Sequence, residues 1–243
     1  MKLLQWNIWY REDTKNVLEA LRETDAEILC LQELTINHPE FNRDVNVPEF
    51  LARELGFNYI FAPAVEKENQ KYGNGIFSRF PILSSKTCFI QNPPENSEGS
   101  VDYSQEGRIY VEASIQTDEG EVTVGTAHKS YTDRFAMTLA KETETNRLIG
   151  ILRAKKERYI FAGDLNTLPG SYTINEISKV LNHCGPAMDE KTWTTKPFSY
   201  NGFEANTLDW RLDYCFATAD IQIKDAKVVK TIYSDHLPIL LEL

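Results

Sequence analysis

The chain is short of the features that would place a protein outside the cell or in a membrane. Its 243 residues include only four cysteines, Cys30, Cys88, Cys184 and Cys215. They are scattered without CxxC spacing and three sit in apolar runs, which argues against a disulfide framework or a zinc site and reads as buried thiols in a reducing compartment. No apolar run approaches the roughly 20 residues that span a bilayer. Met1-Lys2 passes straight into a strand-like segment, with nothing resembling a signal peptide. These absences predict a cytoplasmic protein. Positive charge is also scarce, with 26 Lys and Arg against 36 Asp and Glu for a formal charge of -10. Tight, non-specific duplex binding draws on many lysine and arginine contacts, so this balance disfavours it while leaving room for a local basic patch. No low-complexity tract and no linker interrupt the sequence, and residues 1–243 read as one domain with ample length for a core.

Strong apolar runs alternate with helical patterns. Lys2 to Trp9 reads as a strand, Asp13 to Glu23 as a helix capped by Asp13, and Glu27 to Glu33 as a second buried strand ending in a carboxylate. A short helix is expected from Pro48 to Leu55 and a strand from Phe57 to Pro63, and the polar stretch from Lys67 to Asn74 reads as a loop or hairpin end. Gly73 to Ile82 and Ile82 to Ile90 are expected to pair as a hairpin. Gln91 to Gly107, rich in Pro, Asn, Ser, Gly and Glu, marks a long loop. Arg108 to Gln116 and Glu121 to Ala127 alternate around Asp118-Glu119-Gly120, a strong hairpin signal. Arg134 to Arg153 is the longest helical stretch, with Phe135, Leu139, Leu148, Ile151 and Leu152 for its buried face. Thr173 to Leu181 should form a shorter helix, 182–206 is irregular, and Leu212 to Ala217, Ile221 to Val229 and Leu237 to Leu243 close the chain as strands. Two sheets packed face to face with helices outside would bury these strands, an α/β sandwich.

Ile160 to Asn166 delivers a carboxylate and an amide two residues apart after Gly163. Along an extended chain Asp164 and Asn166 share a side, and an acceptor beside an amide donor suits activation of water and the holding of an oxyanion. A plain Asp/Asn turn fits the same residues. Asn7, Glu33, His128, Asp213, Asp235 and His236 likewise sit at the ends of apolar strands. Singly, each has a structural role open to it: Glu33 solvated, His128 hydrogen-bonded, Asp213 paired with Arg211, Asp235-His236 a polar turn. Together, carboxylates and amides without zinc spacing suit Mg²⁺ or Mn²⁺, which bind through one or two carboxylates plus substrate phosphate.

Trp6-Asn7, Gln32-Glu33, Gly73-Asn74-Gly75-Ile76-Phe77-Ser78-Arg79, Thr126-Ala127-His128, Gly163-Asp164-Leu165-Asn166, Arg211-Leu212-Asp213-Tyr214 and Ser234-Asp235-His236-Leu237-Pro238 occur in this order. In that order they resemble the motifs of the endonuclease/exonuclease/phosphatase superfamily, over residues 6 to 238. The resemblance implies a four-layered αββα sandwich of the DNase I-like kind and metal-dependent hydrolysis of a phosphate ester. It implies Glu33 as the principal Mg²⁺ ligand, with Asn7 nearby and Asp235 a further ligand. Asp164 would position or deprotonate water, and Asn166 would orient that water or a phosphoryl oxygen. His236, held by Asp213, would stabilise charge on the phosphoryl group, and His128 would contact a phosphoryl oxygen. Arg108, Tyr131 and Asn74 are candidate substrate contacts, although Arg108 at a strand edge could simply be solvated and Tyr131 could simply pack.

The sequence departs from the family where Lys129 follows His128, a place that often holds an apolar residue. It also shows no basic, aromatic-interleaved insertion for gripping a duplex. The expected activity is that of a phosphodiesterase or phosphatase on a phosphate-ester substrate, as a monomer away from membranes. A nuclease acting on DNA or RNA, including DNA ends, and a non-catalytic phosphate-binding module of the same fold are the alternatives.

Overall fold

The computed structural model describes residues 1–94 and 102–243; part of the long loop expected from Gln91 to Gly107 lies outside the described residues. The chain runs β1 (Lys2–Asn7), α1 (Thr14–Thr24), β2 (Ile28–Ile36), α2 (Val47–Leu55), β3 (Asn58–Lys67), β4 (Gln70–Ser78), β5 (Ile82–Gln91), β6 (Arg108–Thr117) and β7 (Gly120–His128). It continues through α3 (Leu139–Leu152), β8 (Tyr159–Asp164), α4 (Tyr172–Ser178), β9 (Asn182–His183), β10 (Phe198–Tyr200), β11 (Phe203–Ala205), β12 (Asp213–Ala217), β13 (Asp225–Val228) and β14 (Ile239–Glu242). One six-stranded sheet has the order β13-β14-β1-β2-β4-β3 and the other β5-β6-β7-β8-β12-β9.

Both faces of each central strand are buried, and period-2 alternation sends successive side chains to different layers. Leu3, Ile28, Val124, Ile160 and Ile239 meet between the sheets. Leu4, Leu29 and Leu31 face outward onto Val17, Leu21 and Leu51 of α1 and α2. Tyr110, Tyr159 and Phe161 face Leu148, Leu152 and Ile177 of α3 and α4. The result is the expected four-layered αββα sandwich. Local signals agree with it: the Asp13 carboxylate accepts from Lys15 N at 2.8 Å at the start of α1, and the β6–β7 hairpin closes on the pair Thr117 and Gly120.

Three local expectations are corrected. The strands that become β4 and β5 do not pair, because both hydrogen-bonding edges of β4 are already taken by β2 and β3. The hairpin is β3–β4, with Lys67 opposite Gln70, so the polar stretch 67–74 does hold a hairpin end, although from Gln70 onward it is strand and not loop. Second, β2 does not stop at Glu33; pairing shifts between Leu31 and Leu34, a bulge in which Gln32 and Glu33 oppose Asn74. Third, the long helix starts at Leu139, which is 80% exposed, and its inner face includes Lys141, Glu144 and Thr145 beside Leu148, Ile149 and Leu152. Phe135 lies in a separate aromatic cluster with Tyr131 and Trp193.

Gly163 lies in the central parallel pair β7–β8, opposite Ala127. A Cβ there would sit 2.2 Å from the Ala127 carbonyl oxygen, so the close approach of two backbones requires glycine. Gly150, on α3, has nothing within 4 Å of the same position. Urea unfolding should therefore show Gly163→Ala destabilised by about 3 kcal/mol, while Gly150→Ala is stabilised by about 0.5–1 kcal/mol.

Candidate active site

The inward rows of five strands change character along their length. Leu3, Gln5 and Asn7 follow one another on β1, Ile28, Cys30 and Gln32 on β2, and Val124, Thr126 and His128 on β7. Ile160, Ala162 and Asp164 on β8 lead the same way, matched by Ala217, Cys215 and Asp213 on antiparallel β12. Each row is apolar at one end of the sandwich and polar at the other, so the sequence alternation itself gathers the polar groups at one rim.

A first tier of these groups is buried and paired across the sheets. Gln5 Nε2 donates to Gln32 Oε1 at 2.7 Å and to Asp213 Oδ1 at 3.1 Å, and Gln32 Nε2 donates to Thr126 Oγ1 at 2.9 Å. Above it Asn7 Nδ2 bridges Glu33 Oε1 at 3.1 Å and Asp164 Oδ2 at 2.9 Å, while Asn7 Oδ1 accepts from Trp9 N at 3.1 Å. Asn7 is thus an amide bridge between two carboxylates, with its oxygen engaged by the backbone.

Glu33 is aimed by the β2 bulge and holds a left-handed φ of 62°. Its second oxygen accepts from Tyr10 N at 3.1 Å. Burial, and then the neighbouring Asp235 carboxylate, pushes its pKa up. Asp235 is raised in the same direction, chiefly by burial, while Trp193 Nε1 donates to its Oδ2 at 3.0 Å. The Asp235 carboxylate hinders ionisation of Glu33, and Asp213 that of Asp235; the hard oxygen donors of Glu33 and Asp235 fit a divalent cation.

His236 Nδ1 lies 2.8 Å from Asp213 Oδ2 and its Nε2 lies 3.5 Å from Asp164 Oδ2. Burial opposes the imidazolium, but the charges of Asp213, Asp164 and Asp235 outweigh it and hold the pKa well above the usual value. Asp164, Asp213 and His236 bring ligand atoms within 4.8 Å of one another. The pairing of His236 with the two carboxylates accounts for that cluster without a metal, and Glu33 and Asp235 are the further carboxylates of this cavity that could hold a cation. Asp164 is itself pushed up to about 7, by burial first and by Asp213, against the lowering effects of His236, Asn7 and Asn166 N–H.

Asn166 has a left-handed φ of 47°, and its N–H donates to Asp164 Oδ1 at 2.9 Å. Its amide nitrogen faces Lys129 O at 3.0 Å and His128 Nε2 at 3.0 Å. His128 is kept neutral by burial and by the charges of Arg108 and His236. With Nε2 accepting from Asn166, the ring proton sits on Nδ1, which has no partner among the described residues.

Arg108 and Tyr131 line the same cavity of about 160 Å³ as Glu33, His128, Asp164, Asn166, Asp235 and His236. Arg108 is buried, bonded to Tyr103 O at 2.8 Å and Glu106 Oε2 at 2.9 Å, so the solvated alternative does not hold. Its Nε and the Tyr131 hydroxyl have no hydrogen-bond partner among the described residues. Asn74 lies outside the cavity. Opposite the Glu33 bulge, it donates to Ile109 O at 2.9 Å and ties the sheets together. Asp213 takes its bond to Arg211 on the backbone carbonyl, leaving its carboxylate to Gln5 and His236.

Sequence reasoning missed the support beneath Asn166. Lys141 Nζ donates to Asn166 O and to Thr132 Oγ1, and burial, aided by Lys129, pushes it down to about 7. Lys129 Nζ bonds Thr145 and lies 3.8 Å from Glu144, whose carboxylate accepts from Ser130 N. Lys129 itself, out of place for a position that is often apolar, was the available signal. The rim residues Trp9, Tyr10 and Lys196 also line the cavity and carried no motif.

Two mixed sheets under outer helices, with carboxylates, amides and histidines gathered at one rim, define a phosphoesterase- or nuclease-type scaffold. The chain belongs to the Endonuclease/Exonuclease/phosphatase family, whose model matches residues 4–236. It is similar to a solved endonuclease/exonuclease/phosphatase from Beutenbergia cavernae DSM 12333, at 21% identity, 99% and 70% coverage of this and that chain, and a TM-score of 0.75. A mannosyl-6-phosphatase from Bacteroides thetaiotaomicron VPI-5482 is 14% identical with coverage of 100% and 98% and a TM-score of 0.69. The human Nocturnin catalytic domain, solved with bound sulfate, is 19% identical with coverage of 99% and 92% and a TM-score of 0.69. No curated protein matches the sequence.

A raised folded-state pKa at His236 contributes stability that is complete below its ordinary value of 6.5 and is lost as pH rises through the folded value. NMR should therefore find the ring protonated at pH 7.5 in the wild type and neutral in Asp213→Asn. Urea unfolding should show the stability gap between the two proteins widest near pH 6 and closing as pH rises.

Proposed function

We propose that the protein is a Mg²⁺- or Mn²⁺-dependent phosphoesterase that hydrolyses a phosphodiester or phosphomonoester by in-line attack of water. The observation that carries this reading is the convergence on one oxygen. Asp164 Oδ2 stands 2.9 Å from the Asn7 amide, 3.4 Å from His128 Nε2 and 3.5 Å from His236 Nε2, with Glu33 on the other side of the same amide.

Asp164, with a pKa near neutrality, accepts the proton of the attacking water. The water oxygen bonds to phosphorus as the P–O ester bond breaks, and the alcohol departs with a proton from solvent. Imidazolium His236 donates from Nε2 to a phosphoryl oxygen as charge builds there. Neutral His128 donates from Nδ1, and the unpartnered Arg108 Nε and Tyr131 hydroxyl supply further fixed donors. Glu33 and Asp235 would hold the divalent cation, which supplies charge neutralisation at the phosphoryl group. The protein acts on its substrate as a monomer in the cytoplasm, a placement supported by four unpaired cysteines. No helix among the described residues is long and apolar enough to cross a membrane.

A nuclease reading draws support from Trp9, Tyr10 and Phe198 around the cavity, rings on which unpaired bases stack. The small cavity and the charge of -10 favour short or single-stranded substrates over a duplex. Activity on DNA or RNA that falls steeply with added salt would favour it.

With bis-p-nitrophenyl phosphate and p-nitrophenyl phosphate, hydrolysis should require Mg²⁺ or Mn²⁺ and stop in EDTA. Glu33→Gln and Asp164→Asn should each lower kcat roughly 10²–10⁴-fold with the fold retained by circular dichroism. Full activity in both variants would remove the site, and metal binding without turnover of any phosphate ester would favour the non-catalytic module.

A further inference from the structure

A second cavity opens beside the first. It measures about 300 Å³, within the range of small-molecule sites. Tyr10, Tyr72, Tyr103 and Glu106 line both cavities, so the second continues the first across a wall of tyrosine rings. Beyond that wall it is bounded by His38, Pro39 and Val65, with Gln70 and two lysines at its polar edge.

The wall is stiff and tied to the chemistry. Tyr10 N–H donates to Glu33 Oε2 at 3.1 Å, so the backbone that carries the ring also fixes the carboxylate. The Tyr10 ring stands edge-on to Tyr72 at 6.0 Å and to Phe41 at 5.8 Å, and tilts on His38 at 5.1 Å. Arg11 Nε donates to its hydroxyl at 3.0 Å. Little side-chain freedom remains to be lost when a guest binds. Ring faces and edges at fixed angles select a planar aromatic guest over an alkyl chain, because such pairs gain beyond buried area. Gln70 and Glu106 offer hydrogen-bond partners to ring heteroatoms. The groove shares its tyrosine wall with the cavity that holds the carboxylates, so a group on the ester oxygen of a phosphate bound there is carried toward it.

We infer that the groove bounded by Tyr10, His38, Val65 and Tyr72 is a specificity subsite for a planar aromatic or heteroaromatic group carried by the phosphate ester, an assignment of substrate class that rests on the function proposed above. Phosphoryl binding and ring binding are separate here, because the groove uses no carboxylate or histidine of the hydrolytic site.

Val65 provides the test. It is half-buried on β3 opposite Tyr72 and belongs to none of the hydrolytic machinery. In calorimetry with Mg²⁺ present, 2-naphthylmethylphosphonate should bind the wild type at least about 10-fold more tightly than methylphosphonate. Val65→Arg, which fills the groove, should reduce that preference below about 2-fold and leave methylphosphonate unchanged, whereas Val65→Ala keeps it. Val65→Trp fills the same space should the arginine variant fail to fold. A wild-type preference below 2-fold, or one that survives filling of the groove, overturns the assignment. Should neither phosphonate bind, the phosphoryl site fails, and 2-naphthylmethanol then decides the groove: binding to the wild type and not to Val65→Arg supports it, and equal or no binding overturns it.

Discussion

The structure depends on how two sheets can be held together where their shared face turns polar. Between β1, β2, β7 and β12 the buried amides of Gln5 and Gln32 must find partners, because an unpaired polar group in that layer costs more than its hydrogen bond returns. Their amide nitrogens find them in Gln32 Oε1, Asp213, Thr126 and Cys30 O, while Gln5 Oε1 alone of the two amides' atoms is left without one among the described residues. These bonds are directional where the apolar contacts of the inner core are not, so they fix the offset of one sheet on the other. Asp213 is the point at which this structural layer becomes chemical. One of its oxygens serves the inter-sheet bond and the other faces His236.

From that layer outward, the rim follows as a series of constrained carboxylates. Glu33 is thrown out of its strand by a bulge, Asp164 ends β8 against the Asn166 turn, and Asp235 is held by the Trp193 indole. Glu33 and Asn166 both occupy left-handed backbone, where side-chain-bearing residues are strained. Buried Lys141 beneath the Asn166 carbonyl and Tyr10 N–H behind Glu33 hold these conformations. Burial alone would neutralise the carboxylates. The imidazolium of His236 lowers the proton affinity of Asp164, of Asp235 and, more weakly, of Glu33, without overcoming burial at any of the three.

Much of this was legible in the sequence for a physical reason. Strands buried on both faces leave unbroken apolar runs, and a polar residue ending such a run stands out, as Asn7, His128, Asp164 and Asp213 do. The misreadings arise where local pattern is silent about partners. Nothing within residues 73–90 says that both edges of β4 are already used, so a hairpin with β5 was the natural inference. Leu139 looked like core and is exposed, while Lys141 and Glu144 are buried, because their partners, Asn166 O and Thr132 for Lys141 and Lys129 and Ser130 N for Glu144, are met only once α3 docks. Asn74 sits in a motif with the site residues, yet it supports the bulge from outside the cavity. The groove beyond Tyr10 is assembled from three separate stretches of chain and leaves no contiguous trace.

The inward rows have a further consequence for how such a scaffold can diversify. Because Asn7, His128, Asp164 and Asp213 ride on strand ends, their spacing is set by the sheets, and the connections share in the site only where Tyr10 backs Glu33, Trp193 holds Asp235, and Asn166 and His236 complete it. The other connections form the outer wall of the cleft, including the β3–β4 hairpin with Val65 and the segment with Pro197 and Phe198. The molecule is in this sense modular in depth: a lower deck that dictates what reaction is feasible, and an upper deck that can be rewritten, by drift or by loop grafting, to choose the molecule on which it is performed.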